Sequence, residues 1–447
     1  MAFTPQEDEL AALKTTYQKE GGSPWRWYIC GLLFLATTIN YLDRNVFSLL
    51  EPALHNIPFM QWDDAHPEIF NAHYSTILAW FQVAYAVAFL VVGRFIDRVG
   101  TKIGYAVSIL IWSIAAASHS FVGSVFGFII ARVALGFGEA GNFPAAIKAT
   151  TEWFPTEERA LATGIFNSGA NVASFLGPYI VAWIVGAYGW KSAFITTGLA
   201  GLLWLVLWIP FPYNRRRRDL TMTQENLQVA VGGDEAKPRL GFLLKARGLY
   251  GFCTLKFMTD PIWWFYLFWL PKYFNERFGF SMKQNALPLL IIYGGSSIGS
   301  ILGGYLSGYR MKRGATVNAG RKFALLACAV CSLPVIYVPF SHNIWVDVAL
   351  LALATAAHQG FSANVFSTAT DMFPGTAVST VVGIGGTAGA IGGALFTKFT
   401  GIVWVSHPIL IFGIAATAYV ASLLIFHLIV PRLGENLHPP LVEPTNP

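Results

Sequence analysis

The sequence predicts an all-α membrane protein with twelve transmembrane helices arranged in two pseudo-symmetric six-helix bundles. Three observations lead to this fold class: the composition, a series of long apolar runs and an internal repeat. Of the 447 residues, 54% are hydrophobic and only 12% are charged, and the mean hydropathy is +0.51. Soluble domains contain about 25% charged residues. This composition therefore excludes a disordered chain, a basic nucleic-acid-binding domain and most soluble enzymes.

Twelve apolar runs are long enough to cross a membrane, since a spanning helix needs about 20 mostly apolar residues. The runs do not alternate apolar and polar residues as the strands of a membrane barrel do. The first six runs lie at about 26–50, 72–93, 103–120, 122–147, 159–187 and 189–211. The second six lie at about 249–274, 284–308, 322–341, 343–370, 376–400 and 405–430.

The positions of Lys and Arg predict the orientation, because these residues accumulate on the cytoplasmic side of a membrane. With the amino terminus inside, 22 of the 30 Lys and Arg residues fall in cytoplasmic segments and five fall outside. The remaining three, Arg44, Arg132 and Lys256, lie within apolar runs. We therefore expect a multi-pass protein of the cell (inner or plasma) membrane with both termini in the cytoplasm.

This pattern divides the chain into two bundles and three polar segments. The bundles are expected at 26–211 and 249–430, joined by a cytoplasmic linker at 212–248, with a cytoplasmic amino-terminal segment at 1–25 and a cytoplasmic tail at 431–447. The first residues lack a basic start followed by a short apolar core, so no cleaved signal peptide is expected. Four consecutive arginines in the linker favour contact with anionic lipid headgroups over nucleic-acid binding.

An internal repeat relates the two halves of the chain. Phe-Pro at 154–155 precedes Gly-Ile at 164–165, and the same dipeptides recur at 373–374 and 383–384, an offset of 219 in both places. Such a duplication is typical of transporters, in which the site lies between two related bundles near the middle of the membrane.

Ionisable groups within spans are rare and expensive, which makes them functional candidates, although they can also neutralise one another as structural pairs. The candidates are Asp43, Arg44, Arg132, Glu139, Lys256 and Asp260, with His73 and His358 less clear. The four cysteines all lie in apolar runs, where they are expected to be small core residues rather than disulfides or metal ligands.

Arg44 is the best candidate for an anion contact, since a guanidinium group donates two parallel hydrogen bonds to a carboxylate. Asn40 lies four residues earlier, on the same helical face, and Tyr41 lies beside it. Asp43 lies about 100° around the helix from Arg44 and is expected to point towards neighbouring helices.

Two further pairs of charges lie at helical spacings. Arg132 and Glu139 are seven residues apart on one face, about 10.5 Å along the helix, too far to pair directly. Lys256 and Asp260 are four apart, and Lys256 is either a substrate contact or the partner of Asp260. Pro261 is expected to kink that helix, and the aromatic run that follows is more typical of packing than of sugar stacking.

Neutral polar residues within spans complete the predicted site, because amides and phenols suit sugar hydroxyl groups as both donors and acceptors. They also serve as contacts between membrane helices, and both interpretations stay open for each residue. The offset of 219 places His358 over Glu139, so both are expected to border the substrate. The candidates are Tyr85, Asn167, Asn171, His358, Gln359 and Asn364.

Several motifs resemble those of the major facilitator superfamily over nearly the whole chain. Residues 93–102 (GRFIDRVGTK) look like its loop signature, and Arg132 with Gly136 and Gly138 resembles its helix 4 motif. The segments 40–44, 138–144 and 152–159 resemble the anion:cation symporter family. Similarity to bacterial hexuronate transporters is carried by residues 100–105, 166–167, 260–264, 269–271 and 357–359.

The resemblance implies a major facilitator fold and roles for specific residues. Arg44 is implied to bind the substrate, with Asp43 and Glu139 carrying the coupling proton. The loop that contains Gly93, Asp97, Arg98 and Gly100 is implied to latch the two halves in the outward-facing state. Two departures stand out. Ala170 occupies a position at which galactonate transporters have glutamine, and Gly308 replaces an aspartate, so the second gate cluster is expected to be weaker.

These observations predict a proton-coupled symporter of a sugar-acid anion, of the hexuronate type such as glucuronate or galacturonate. Its substrate contacts are expected to be Tyr41, Arg44, Tyr85, Arg132, Asn167, Asn171, Lys256, His358, Gln359 and Asn364. We expect a monomer with no metal, no nucleic-acid partner and no cofactor beyond the coupling proton.

Two alternatives stay open at this point. One is transport of another organic anion, such as galactonate or another aldonate or an aromatic acid, or anion exchange. The other is a membrane sensor of sugar acids. An enzyme is not favoured, because the sequence has no metal-ligand spacing, nucleophile elbow or Walker loop.

Overall fold

Long helices account for most of the chain in this computed structural model, which describes residues 25–61, 67–213, 240–280, 282–404 and 407–433. The predicted amino-terminal segment, most of the predicted linker and most of the predicted tail lie outside these residues. The first half contains α1 (Trp25–Leu49), α2 (Pro67–Val99), α3 (Thr101–Ser118), α4a (Val125–Glu139), α4b (Asn142–Trp153), α5 (Thr156–Tyr188) and α6 (Trp190–Trp208).

The second half repeats this plan. It contains α7 (Arg247–Phe278), α8 (Met282–Lys312), α9 (Val317–Ser332), α10 (Ile344–Met372), α11 (Val378–Val403) and α12 (Pro408–Ile429). A 3₁₀ segment, Leu333–Phe340, continues α9. Shorter helical turns cover Glu51–Leu54, Pro58–Met60, His119–Phe121 and Leu240–Leu243.

Ten of the helical spans in the described ranges are long and apolar enough to cross a membrane by length and composition. The two others of spanning length are α1 and α7, with 25 and 32 residues. Both carry internal charged residues, Asp43 and Arg44 in α1 and Lys256 and Asp260 in α7. The predicted all-α membrane fold is confirmed, and α1 and α7 both carry candidate site residues.

The fourth span is broken, which the sequence analysis did not predict. Helix α4a ends at Glu139 and α4b begins at Asn142. Pro144 lies in the first turn of α4b, where its ring would clash with the carbonyl group of Ala140 in a continuous helix. The break places Glu139 at the very end of α4a, at the middle of the span.

Helix α7 continues through Pro261. The sequence predicts a kink there, and α7 is helical throughout its length, so the proline does not end the helix. Proline leaves the carbonyl group four residues earlier, that of Phe257, without its usual donor. A Cβ atom at Gly392 of α11 would collide with that same carbonyl oxygen. Close packing of α11 therefore supports the proline turn, as neighbouring helices do in membrane proteins.

The two bundles meet through glycines on two pairs of helices, α2 with α11 and α5 with α8. A Cβ atom at Gly383 would collide with the carbonyl oxygen of Phe89, and one at Gly164 would collide with that of Ser300. Gly164 and Gly383 are the residues related by the offset of 219. The repeat seen in the sequence thus corresponds to equivalent close contacts between the bundles.

These contacts lie towards one end of the molecule, which we call the linker end because α6 ends and α7 begins there. Trp208 of α6 donates to the carbonyl group of Lys102 at the start of α3, at 3.0 Å. Lys322 near the start of α9 likewise donates to the carbonyl group of Val430 after α12, at 2.8 Å. In the predicted orientation the linker end is cytoplasmic.

Candidate functional site

A cavity of about 740 Å³, including its part open to solvent, lies between the bundles. Helices α1, α2, α4b, α5, α7, α10 and α11 contribute to its lining. Seven of the ten predicted substrate contacts line it: Tyr41, Arg44, Tyr85, Asn167, Lys256, His358 and Gln359.

Arg44 lies in the cavity wall and forms an ion pair with Glu139. Its Nε donates to Oε2 of Glu139 at 2.9 Å, and the two side chains are 19% and 0% exposed. Its guanidinium carbon lies 4.7 Å from the ring centre of Tyr41 and 4.4 Å from that of Tyr85. The pair joins α1 to the broken end of α4a, so Arg44, rather than Arg132, is the direct partner of Glu139.

Arg132 does not belong to the cavity lining. It is 1% exposed, its Nη1 donates to the backbone carbonyl group of Arg44 at 3.3 Å, and its guanidinium lies 4.4 Å from the Phe47 ring centre. The structure therefore places Arg132 against the backbone of α1 instead of at the position predicted for a substrate contact. The sequence identified the span that carries Arg132, but helical spacing within one span does not show which part of α1 the side chain contacts.

Asp43 points away from the cavity, as predicted. It is 2% exposed, and its carboxyl group faces Thr197 of α6. Glu139 and Arg132 are both within its electrostatic range. Asn40 is fully buried and does not line the cavity, whereas its neighbour Tyr41 does. One face of α1 thus carries Arg44 into the cavity, and another carries a buried carboxyl group.

A second ion pair lines the cavity from α7. Nζ of Lys256 lies 2.7 Å from Oδ2 of Asp260, and the ammonium lies 4.3 Å from the ring centre of Phe366. Both charged residues belong to the lining. The sequence left open whether Lys256 contacts the substrate or pairs with Asp260, and the structure places it where it can do both.

Amide groups connect the bundles at the same level. Nδ2 of Asn167 on α5 donates to Oε1 of Gln359 on α10 at 2.7 Å, and Nε2 of Gln359 donates to Oδ1 of Asn171 at 3.4 Å. Asn171 lies outside the lining, one helical turn beyond Asn167. Asn364 donates to the carbonyl groups of Gly303 and Gly360 at 2.8 and 2.9 Å. It therefore joins α8 to α10 instead of entering the cavity.

His358 lines the cavity and is held on two sides. Its Nδ1 lies 2.8 Å from the hydroxyl oxygen of Tyr419, and its ring stacks on Trp263 with centres 5.1 Å apart and planes 7° apart. Glu139, its counterpart in the repeat, is fully buried behind Arg44. The expectation that both residues border the substrate therefore holds in position for His358 and not for Glu139.

Aromatic residues contribute more of the lining than the sequence analysis expected. Trp263 and Trp264 both line the cavity. Phe143 of α4b and Phe366 of α10, which were not singled out, stack on each other with centres 5.3 Å apart. Helical periodicity gives little signal for them, because lipid-facing and cavity-facing positions of a membrane helix can both be apolar. Phe143 lies directly after the break, at the start of α4b, and a break in a span is the signal that could have marked it as a candidate lining residue.

The loop that contains Gly93, Asp97, Arg98 and Gly100 joins the bundles at the linker end. Oδ1 of Asp97 pairs with Nζ of Lys148 at 2.8 Å, within the first bundle. Its Oδ2 accepts hydrogen bonds from the backbone N–H and the hydroxyl group of Thr380 at 2.7 and 2.6 Å. Asp97 therefore lies against the first turn of α11 in the other bundle, and a carboxylate is favoured at a helix amino terminus.

The other residues of this loop have separate parts. A Cβ atom at Gly93 would collide with the carbonyl oxygen of Ser379, so α2 and α11 touch there. Gly100 has a φ of +88°, which favours glycine, in the turn from α2 to α3. Arg98 is exposed at the end of α2.

A different arrangement replaces the aspartate missing from the second half. A Cβ atom at Gly308 would collide with the carbonyl oxygen of Glu157. Arg321, fully buried, pairs with Asp371 at 2.7 Å and donates to the carbonyl group of Thr156 in the first bundle at 2.7 Å. The second contact is thus bridged by an arginine in place of a carboxylate, and by closer backbone packing.

Comparison with known proteins agrees with this architecture. A family model described as the Major Facilitator Superfamily matches residues 33–397. The hexuronate transporter of Escherichia coli (strain K12) is 30% identical over 389 residues, which cover 84% of this chain and 87% of that protein. The galacturonate transporter of Dickeya chrysanthemi is 32% identical over 293 residues, covering 63% of this chain and 81% of that protein.

A solved structure shows the same fold at low sequence identity. The proton:xylose symporter bound to 6-bromo-6-deoxy-D-glucose superposes with a TM-score of 0.73 at 15% identity, covering 93% of this chain and 99% of that one.

Proposed function

Because this chain belongs to the Major Facilitator Superfamily, we propose that it carries a sugar-acid anion across the cell membrane together with protons, by alternating access. The chain is a transporter and not an enzyme. The proposed substrate is a hexuronate such as glucuronate or galacturonate. The relatives named above support this substrate class, and both are named as transporters of sugar acids with one carboxylate.

The position of Arg44 is the observation that carries the proposal. Its guanidinium lines the cavity between two aromatic rings and, apart from the adjacent Tyr85 side chain, its buried Nη2 has no hydrogen-bond partner among the described residues. An arginine presented in this way can receive a carboxylate through two parallel hydrogen bonds. Amide groups of Asn167 and Gln359 and the ring of His358 line the same cavity and suit sugar hydroxyl groups.

The ion pair between Arg44 and Glu139 supports the proposed proton coupling. An ionised carboxylate that is fully buried needs a charged partner, because an unpaired buried charge is strongly unfavourable. When a substrate carboxylate binds Arg44, Glu139 loses that partner, and a bound proton removes its charge. Binding of the anion and of the proton therefore favour each other. Asp43, buried in the same charge network, is the second proposed proton site.

The contacts at the linker end define the proposed alternating states. Asp97, Arg321 and the glycine contacts hold the bundles together there. Release of substrate at the linker end requires these contacts to separate, and contacts elsewhere between the bundles to form. Rocking of the two halves about the cavity is how such folds move a substrate.

Uptake into proteoliposomes tests the proposal. We expect labelled galacturonate or glucuronate to accumulate when the outside solution is made more acidic than the vesicle interior. The accumulation should stop when a protonophore is added. If one proton enters with each anion, the step is electroneutral. A second proton would add a voltage dependence of about 2.3 kcal/mol per 100 mV.

The controls separate transport from leakage. Protein-free liposomes and liposomes with the Arg44→Ala variant should show only background uptake. Accumulation that is unaffected by the pH gradient would exclude proton coupling. An absence of uptake or counterflow of any hexuronate by folded protein would exclude the proposed substrate class.

A further inference from the structure

The ion pair between Lys256 and Asp260 has no part in the transport cycle described above, yet it is fixed in the cavity wall. Nζ of Lys256 lies 2.7 Å from Oδ2 of Asp260. A Cβ atom at Gly389 of α11 would collide with the carboxylate, so α11 holds Asp260 from another side. The Lys256 ammonium lies 4.3 Å from the ring centre of Phe366. Packing on both sides therefore keeps the two charges together.

We propose that this pair selects the charge of the substrate. Asp260 occupies the place on Lys256 that a second carboxylate of a substrate would take, and the cavity therefore accepts sugar acids with one carboxylate and rejects those with two. This inference rests on the proposed function, since it concerns the far end of an anion whose first carboxylate binds Arg44.

The charges around the cavity agree with a monovalent substrate. In the part of the chain that the structure describes, the lining contains two cations, Arg44 and Lys256, and one carboxylate, Asp260. With a proton on Glu139, the sum is +1, which one carboxylate neutralises. A second ligand carboxylate would lie beside Asp260 on the same ammonium, where two negative charges repel each other.

Asp260 also gives the far end of a sugar acid a suitable partner. An ionised carboxylate only accepts hydrogen bonds, so it binds hydroxyl groups, which donate. Oε1 of Gln359 already accepts a hydrogen bond from Asn167 on the opposite bundle. The cavity lining that contains Asp260 thus also contains amide groups, which both donate and accept. A hydroxylated carbon chain satisfies these groups, whereas a second carboxylate brings two more acceptors and no donor.

Galacturonate and galactarate share hydroxyl configuration, and galactarate has a carboxylate in place of the aldehyde carbon. Because galacturonate closes to a ring and galactarate stays an open chain, the change in their affinity ratio between wild-type protein and a variant is the informative quantity. The measurement is competition of unlabelled galactarate with labelled galacturonate in counterflow, at a fixed pH. We expect wild-type protein to prefer galacturonate at least 100-fold. Asp260→Asn frees Lys256 and should raise the relative affinity for galactarate at least tenfold.

Two control variants isolate the effect of the charge. Asp260→Glu keeps the carboxylate and should keep the preference for galacturonate. In the double variant Lys256→Gln with Asp260→Asn, the cation that would bind the second carboxylate is gone. The gain in galactarate affinity should therefore disappear.

Gly389→Ala is the alternative test if Asp260→Asn does not fold. It displaces the Asp260 carboxylate without changing any charge, and it should likewise weaken the preference for galacturonate over galactarate.

The result that overturns the proposal is an unchanged affinity ratio in folded Asp260→Asn or Gly389→Ala protein, including the case in which both affinities fall together. Wild-type protein that binds galactarate as tightly as galacturonate overturns it as well. Wild-type protein that binds neither sugar acid overturns the proposed function itself. That outcome is distinguishable because it appears before any variant is compared.

Discussion

At the scale of single residues, the cavity presents Arg44 as a group with two possible partners. In the structure its Nε donates to Glu139 at 2.9 Å, while the buried Nη2 has no acceptor among the described residues apart from the adjacent Tyr85 side chain. One guanidinium can bind either the buried carboxylate or a substrate carboxylate. The strength of each interaction depends on the planar arrangement of its N–H donors. This arrangement makes the identity of the cation, and not only its charge, important.

We expect Arg44→Lys to lower substrate affinity at least tenfold while the protein still folds, because an ammonium cannot donate two parallel hydrogen bonds to one carboxylate. The measurement is the concentration dependence of counterflow, normalised to folded protein. Lys398→Gln serves as a control, since it removes an exposed cation outside the cavity lining. Wild-type affinity in Arg44→Lys would remove Arg44 as the anion anchor.

Glu139 is expected to matter for coupling more than for binding. Glu139→Gln imitates the protonated acid and frees Arg44, so affinity for the anion should be kept or raised. Accumulation driven by a pH gradient should be lost, whereas counterflow exchange should continue because it needs no release of a proton. Asp43→Asn should behave in the same way if it is the second proton site.

Measuring gradient-driven accumulation and counterflow exchange on the same vesicles tests this prediction. Full gradient-driven accumulation in both variants would show that neither residue carries the proton. Loss of counterflow together with accumulation would instead give Glu139 a role in binding the anion.

At the scale of helices, the glycines between α2 and α11 allow the bundles to approach closely at the linker end. Gly383→Leu should prevent this closure, since any Cβ atom there meets the carbonyl oxygen of Phe89. We expect transport to fall at least tenfold and the cavity to become more accessible from the linker end. Labelling of Ser362→Cys, which lines the cavity, by an impermeant maleimide would report this accessibility.

A glycine elsewhere in the molecule provides the matched control for this helix contact. Gly186 lies within helix α5, and a Cβ atom added there would have no neighbouring heavy atom within 4 Å. Gly186→Ala should therefore leave transport and labelling unchanged. Equal labelling of Ser362→Cys in the Gly383→Leu and parent backgrounds would argue against closure at this contact.

The sequence predicted elements better than it predicted contacts between them. The run expected at 26–50 is helix α1 at Trp25–Leu49, and that at 249–274 lies within α7 at Arg247–Phe278. Hydropathy determines these spans because a membrane requires continuous apolar helices. The break in the fourth span was missed because hydropathy does not register a single proline, although the clash of Pro144 with the carbonyl group of Ala140 is a local effect that the sequence contains.

The site was predicted in its composition and not in its pairing. Arg44, Lys256 and His358 were found because charged and polar residues are rare in apolar spans. The pairing of Arg44 with Glu139 joins residues 95 positions apart on different helices, and helical spacing carries no information about such contacts. For the same reason the position of Arg132 against the backbone of α1 could not be deduced.

At the scale of the whole molecule, the Asp97 contact is expected to hold the linker end closed in the proposed transport cycle. Asp97→Asn removes the charge that holds Lys148, itself 4% exposed, and weakens the contact with α11. We expect the population open at the linker end to increase severalfold. Pulsed electron paramagnetic resonance between nitroxides at exposed positions 94 and 310 would show longer distances.

The control for this whole-molecule prediction is a carboxylate at the far end. Glu276 contacts Trp404 within the second bundle, so Glu276→Gln should leave the distance distribution unchanged. An Asp97→Asn distribution that matches the wild-type one would show that the glycine contacts alone keep the linker end closed.

The two ion pairs of the cavity have a consequence for the energetics of the transport cycle. Arg44 is balanced by Glu139 and Lys256 by Asp260, and the buried Arg132 is balanced by Asp43 when that carboxyl group is ionised. The empty carrier without bound protons therefore holds its own counter-ions. Its return across the membrane then displaces no net charge, and the rate of that half-cycle should not vary with the membrane potential. Any electrical work done by the cell must enter on the loaded half-cycle, where it opposes backflow of substrate without slowing the recovery of empty carriers.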